Sequence, residues 1–332
     1  MRNLVNLSNY SSDLDRFHYN YHELETFLQK HELNGIELIL YDKWDASVIP
    51  SSLITGLHLP FWPSWLDFWK KDLPALEKQY GNDEIMKQFY GGNSPEILVE
   101  QYHSQMETAV EMGAEYVVFH VGNIRPEHSY NYQFTDSDEE VVEAAIQLIN
   151  EVCRGLDSNV ELLFENLWWP GLTMLDRDIA QKLIEETEYP HKGFMLDIGH
   201  LMNTNIDLQD EDQAVEYILE VLEQLGDTAS YIKGIHLNSS LSGEYVKSMR
   251  SSNLGRKCDR MTDFTQYGEL CRHISKIDRH IPFTSPSINR VIQRVNPKYL
   301  VYEVLTDSLA MLDQYVQTQN SVLEFKRYVP YE

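Results

Sequence analysis

Short apolar runs alternate with amphipathic helical stretches along nearly the whole chain, and this alternation constrains the fold more than any other feature. Eight runs read as strands, approximately Leu4–Leu7, Ile36–Tyr41, Leu53–Leu59, Tyr116–His120, Glu161–Glu165, Phe194–Asp197, Ile232–Leu237 and Tyr299–Val304. Between them, stretches such as HELETFLQKH, SPEILVEQYHSQMETAVEMG, EEVVEAAIQLINEVCRGL, DIAQKLIEET and QAVEYILEVLEQLG repeat apolar residues at three- and four-residue steps. Each can bury one stripe against a sheet. Strand followed by helix is the pattern of parallel βα units, and eight of them favour a closed (β/α)8 barrel. At 332 residues, the chain has room for such a barrel as a single domain spanning 1–332. Two connections are too long for plain βα loops, Pro60 to Asn93 after the third strand and Asn238 to Pro297 after the seventh. Loops of that length form lids or binding walls.

Charged residues finish several of these apolar runs. Glu165 ends ELLFE, Asp197 ends GFMLD, His236 ends IKGIH and Glu303 ends YLVYE; His58 ends GLH and His120 ends YVVFH. A charge at the end of a buried strand is costly unless paired or coordinated. Side chains that end neighbouring parallel strands converge on one mouth. Three carboxylates and an imidazole there suit a divalent cation, with manganese, cobalt, zinc and magnesium all compatible.

The formal charge of −25, from 27 basic against 52 acidic residues, leaves little to neutralise phosphates, so general nucleic-acid binding is not expected. Cys153, Cys258 and Cys271 are odd in number and scattered, matching neither a disulfide framework nor a thiolate zinc site. The opening MRNLVNLSNY lacks a basic region followed by an apolar segment, and no run of eighteen apolar residues occurs. A cytoplasmic protein with no membrane partner is the expectation.

At this point the chain resembles the xylose isomerase-like TIM-barrel superfamily, on FEN at Glu165, the DIGH pattern at Asp197–His200, IHLN at His236 and YEV at Glu303. The resemblance implies two alternatives. In the epimerase branch, residues matching Glu165, Asp197, His236 and Glu303 hold one metal, Glu165 and Glu303 also move the proton, and His200 touches a sugar or sugar-derivative substrate. In the endonuclease IV branch, residues matching His58, His120 and His200 are further ligands of a zinc cluster in a hydrolase acting on a phosphodiester or, in similar proteins, a corrinoid amide. That branch also carries an Asp-Arg-His run after the seventh strand. The match taken for it here is Asp259-Arg260-Met261, with Met in place of His, which leaves the third metal position incomplete and makes the isomerase or epimerase the first expectation. Substrate contacts are expected from His200, His120, His58, Trp62, Trp168 and Arg125, because aromatic faces stack on rings and an arginine grips anions. The resemblance further implies a small-molecule substrate and self-association into a homo-oligomer.

Overall fold

The computed structural model describes residues 1–41, 43–251 and 264–323. Eight parallel strands close in sequence order: β1 (Arg2–Ser8), β2 (Gly35–Ile39), β3 (Ile54–His58), β4 (Tyr116–His120), β5 (Glu161–Glu165), β6 (Lys192–Asp197), β7 (Ile232–Leu237) and β8 (Tyr299–Tyr302). Helices return the chain between strands, among them Tyr21–Lys30, Glu96–Met112, Asp138–Val152, Arg177–Glu186 and Glu211–Leu225. The (β/α)8 barrel expected from the alternation is therefore present, and the long connections do follow β3 and β7. Strands buried on both faces need continuous apolar runs, and β4 shows this, with Tyr116, Val117 and Val118 all fully buried.

Leu4, Tyr116, Val118, Leu163, Met195, Tyr299 and Val301 fill the interior as one cluster. Tyr116 and Tyr299 lie ring on ring at 4.3 Å. Rings this large fit only where a neighbouring strand carries no side chain. A Cβ on Gly56, which pairs with Tyr116 in the sheet, would sit 2.2 Å from the Tyr116 ring. The apolar plug occupies the amino-terminal half of the barrel, so the polar residues gather at the other end. No helix of the described residues is long and apolar enough to cross a membrane.

Candidate metal centre

Register brings the strand-end residues together. His120 pairs with Glu165 across β4 and β5, and Asp197 with His236 across β6 and β7. Local structure adds His200. Asp197 stops β6 and caps the helix Ile198–Asn203, its Oδ1 accepting from the His200 backbone N–H at 2.5 Å. A cap satisfies an orphan N–H of the first turn, so the spacing in Asp-x-x-His fixes where the imidazole stands.

Three groups of donors follow from this convergence, each with its ligand atoms within 4.8 Å of one another: His58, His120 and Glu165; Glu165, Asp197, His236 and Glu303; and His200, Asp278 and His280. Glu165 belongs to two of them. Its Oε2 lies 3.1 Å from His58 Nε2 and 3.3 Å from His120 Nε2, while Oε1 lies 3.2 Å from both His200 Nδ1 and His236 Nδ1. Asp278 Oδ2 stands 3.2 Å from His200 Nε2 and 2.6 Å from His280 Nε2.

The imidazoles are arranged as metal ligands need to be, with one nitrogen engaged elsewhere so that the other faces the carboxylates. His58 Nδ1 meets the Leu59 carbonyl at 3.1 Å, His200 Nδ1 the Asn166 carbonyl at 2.8 Å, and His280 Nδ1 the Glu303 carbonyl at 3.2 Å. His236 is turned the other way, with Nε2 3.1 Å from Glu37 Oε2. Glu37, in the middle of β2, is fully buried and also accepts from the Tyr116 hydroxyl at 2.8 Å. It too lies within ligand range of His58, His236 and Glu303, but Tyr116 and His236 already engage it. Glu165 Oε1 and His236 Nδ1 are buried with no hydrogen-bond partner, as fits donors arranged for a cation, whereas in His120 it is Nδ1, the nitrogen turned away from Glu165, that is left unpartnered.

Electrostatics agree. Burial pushes Asp197 well above the usual carboxylate range, and the neighbouring Glu303 and Glu165 add to it although His200 opposes them. Burial works the same way on Glu165 and Glu303, but the imidazoles around them win: His120 and His236 for Glu165, His236 and His280 for Glu303, both ending well below the usual range. Burial lowers His120 to about 3, so it is a neutral donor. Three buried carboxylates around one imidazole carry an excess of negative charge that a divalent cation relieves.

Residues the sequence reading did not single out complete the site. Asn166, after Glu165, exchanges hydrogen bonds with the Asp197 backbone at 2.9 and 3.0 Å, and Asn238 donates to Asp197 Oδ2 at 2.9 Å. The Asp-Arg-His run needs correction. Asp259-Arg260-Met261 lies outside the described residues, and a complete run, Asp278-Arg279-His280, brings both of its ligand side chains to His200. The third group therefore has its histidine. Two expected substrate residues are engaged by other side chains. Arg125 is held by Asp67 at 2.9 Å and Asp136 at 3.3 Å, and Trp62 packs edge-on against Tyr102 at 5.3 Å. Trp168 does reach the site, its ring centroid 5.1 Å from that of His200. Cys153 is buried and its thiol pushed up to about 12 by that burial, unfit as a nucleophile.

A family model described as xylose isomerase-like TIM barrel matches residues 26–297. Among curated proteins, the probable endonuclease 4 of Mesomycoplasma hyopneumoniae strain 7448 is 29% identical over 186 residues, 54% of this chain and 54% of that protein. The probable endonuclease 4 of Mycoplasma mobile is 26% identical over 151 residues, 43% and 47% of the two. The chain thus spans about half the length of the curated relatives it matches. Endonuclease IV from Thermus thermophilus superposes with a TM-score of 0.52 at 16% identity, covering 99% of this chain and 100% of that one. An L-ribulose 3-epimerase does so with a TM-score of 0.52 at 12% identity, covering 98% and 95%. At such identities these likenesses speak for the fold alone.

Proposed function

The chain belongs to the xylose isomerase-like TIM-barrel family, and on that premise we propose that it is a divalent-metal-dependent hydrolase of phosphoesters whose cations sit in three donor groups, two sharing Glu165 and the third reached from it through His200. The observation that carries this reading is the third group, His200, Asp278 and His280. An isomerase or epimerase working through Glu165 and Glu303 on one cation would need only the group of Glu165, Asp197, His236 and Glu303. Asp278 and His280, neither with a side chain more than 17% exposed, would then be left as a buried carboxylate and imidazole beside His200 without a role in the chemistry.

Manganese, cobalt, zinc or magnesium ions in these groups would supply Lewis-acid charge to a phosphoryl oxygen and acidify water for attack on phosphorus. The chain's own residues supply the geometry. Glu165 divides its two oxygens between groups and so sets their spacing. Glu37 holds the His236 ring so that Nδ1 faces inward, and Asn238 steadies Asp197. Trp168, over His200, and Phe61, whose ring lies 4.6 Å from that of His120, form an apolar wall that keeps bulk water off the donors, which strengthens every charge interaction inside.

Elemental analysis of protein purified without chelator and reloaded, combined with release of p-nitrophenol from bis(p-nitrophenyl) phosphate, tests the reading. More than one cation per chain with phosphodiester cleavage is expected. A single cation per chain, together with solvent deuterium entering carbon of a ketose, would instead assign the epimerase chemistry.

A further inference from the structure

The donors are unevenly spread around the mouth. His58, His120, Glu165, Asp197 and His236 end β3 to β7, and Glu303 follows β8, but β1 and β2 end without one. The loops after those two strands instead form a cavity of about 700 Å³, walled by Tyr10, Tyr19, Tyr41 and Trp44 with Asn9 and Lys43 at its edge. Tyr10, Tyr19 and Tyr41 are 55%, 46% and 67% exposed, and three such rings on one cavity form a patch of the kind that marks a binding site. The rings are held in place. Tyr10 and Tyr41 meet edge to face at 5.1 Å, the Tyr41 backbone N–H donates to Asn9 Oδ1 at 2.8 Å, and Trp44 Nε1–H donates to the Ile49 carbonyl at 2.8 Å. His18 and Tyr19 are both left-handed, at φ 51° and 52°, a conformation that costs energy and persists where the surroundings impose it.

The rest of the mouth is bridged. Two helices of the β7–β8 connection, Gly243–Arg250 and Phe264–Ile274, are joined by Tyr245 OH and His273 Nδ1 at 2.8 Å. The second helix reaches other loops. His273 Nε2–H donates to the Ser129 carbonyl at 3.0 Å, its ring stacks on Tyr130 at 3.8 Å, and Tyr267 meets Phe89 edge-on at 5.5 Å. Val246 and Ile277 share an apolar cluster with Trp168 and Trp169. Phe89 belongs to the β3–β4 connection, and in a barrel closed in sequence order β3 lies opposite β7. These two helices therefore form a strap across the mouth.

Resting on the hydrolase reading, we propose that the substrate is a small phosphoester bearing an aromatic ring of the nucleobase kind, its ring seated in the tyrosine cavity after β1 and β2, while the strap keeps a nucleic-acid duplex off the metal centre. Aromatic walls suit a π-face, and because Lys43 and Asp45 both line the cavity, the rings rather than net charge select its occupant. A cavity of this size holds a nucleotide and not a polymer. A net charge of −25 also works against holding a duplex backbone.

The metal-loaded full chain is assayed with thymidine 5′-(p-nitrophenyl phosphate) and with methyl p-nitrophenyl phosphate, which share a leaving group and differ in the ring. The expected result is a kcat/KM about five- to a hundredfold higher for the thymidine ester, with the preference lost in Tyr41→Ala and Tyr10→Ala. Both rings are largely exposed, so their truncation leaves the core intact. Equal rates on the two esters, or a preference that survives both variants, would overturn the cavity assignment, and an abasic-site duplex cut as efficiently as the thymidine ester would overturn the strap's role. If neither ester is cleaved, the hydrolase reading fails by itself. The cavity is then judged by titrating thymidine 5′-monophosphate against intrinsic tryptophan fluorescence, where saturable binding weakened by Tyr41→Ala supports it and no binding overturns it.

Discussion

Glu37→Gln removes a carboxylate from beneath the metal centre without touching any residue of the Glu165, Asp197, His236 and Glu303 group. Glu37 is fully buried, and its Oε2 accepts from Tyr116 at 2.8 Å and faces His236 Nε2 at 3.1 Å. A glutamine keeps a carbonyl for Tyr116, but its amide N–H groups replace Oε1, which also stands 3.1 Å from His236 Nε2, and turn donors toward that ring. His236 then loses the acceptor that fixes its tautomer. Removing such an orienting partner weakens metal binding by about 10- to 100-fold, or about 1.4–2.8 kcal/mol. That agrees with the roughly 1.5–3 kcal/mol of a hydrogen bond to a charged group. Chelator competition on the loaded protein would read the change, with elemental analysis giving the number of cations lost. One cation is expected to weaken by this factor while the others hold. Tyr116→Phe, which leaves the bond to His236 intact, should barely move the affinity. If folded Glu37→Gln protein binds every cation within about twofold of wild type, the orienting role assigned to Glu37 is refuted.

Other perturbations test separate parts of the description. His280→Ala should lower the cation count by one and cut phosphodiester hydrolysis by about 100-fold or more; undiminished hydrolysis would remove the third group from the chemistry. For Gly56→Ala, the added Cβ meets the Tyr116 ring at 2.2 Å, and a loss of about 1–3 kcal/mol in urea unfolding is expected. The His280 imidazole is pushed up to about 10: burial works against the charge, but Asp278 and Glu303 outweigh it. His200 in the same group is also held well above the usual imidazole range, burial being outweighed by Asp197 and Asp278, so a cation there displaces up to two protons and its apparent affinity should rise by up to about a hundredfold per pH unit from roughly pH 6 to 8. Calorimetry in buffers of different ionisation enthalpy would register the released protons, and pH-independent binding would contradict the assignment.

The strands were readable because both of their faces are buried, which demands uninterrupted apolar runs. Residues such as Glu165 and His236 stood out as the polar exceptions at the ends of those runs. Glu37 carried the same signal, an acid inside GIELI, but in mid-strand an acid is as readily a solvent-facing position, and only the closed barrel turns it inward. Asp278 and His280 were present in the sequence as a complete Asp-Arg-His run. They were passed over for Asp259-Arg260-Met261 because distance along the chain from β7 says nothing about where a long connection returns. Arg125 and Trp62 were near the mouth in sequence but are claimed by Asp67, Asp136 and Tyr102, partners that a linear reading cannot supply.

The placement of donors on β3 to β8 divides the barrel rim into two arcs of different mechanical character. Along the larger arc, any outward breathing of one strand pulls against ligands supplied by its neighbours, so with cations bound these strands should exchange amide hydrogens together and slowly. Only β1 and β2 end without a ligand, and β2 is held to the centre through the single Glu37–His236 contact. The compliant arc is also the one beside the tyrosine cavity, so stiffness and molecular traffic are assigned to opposite sides of a single ring.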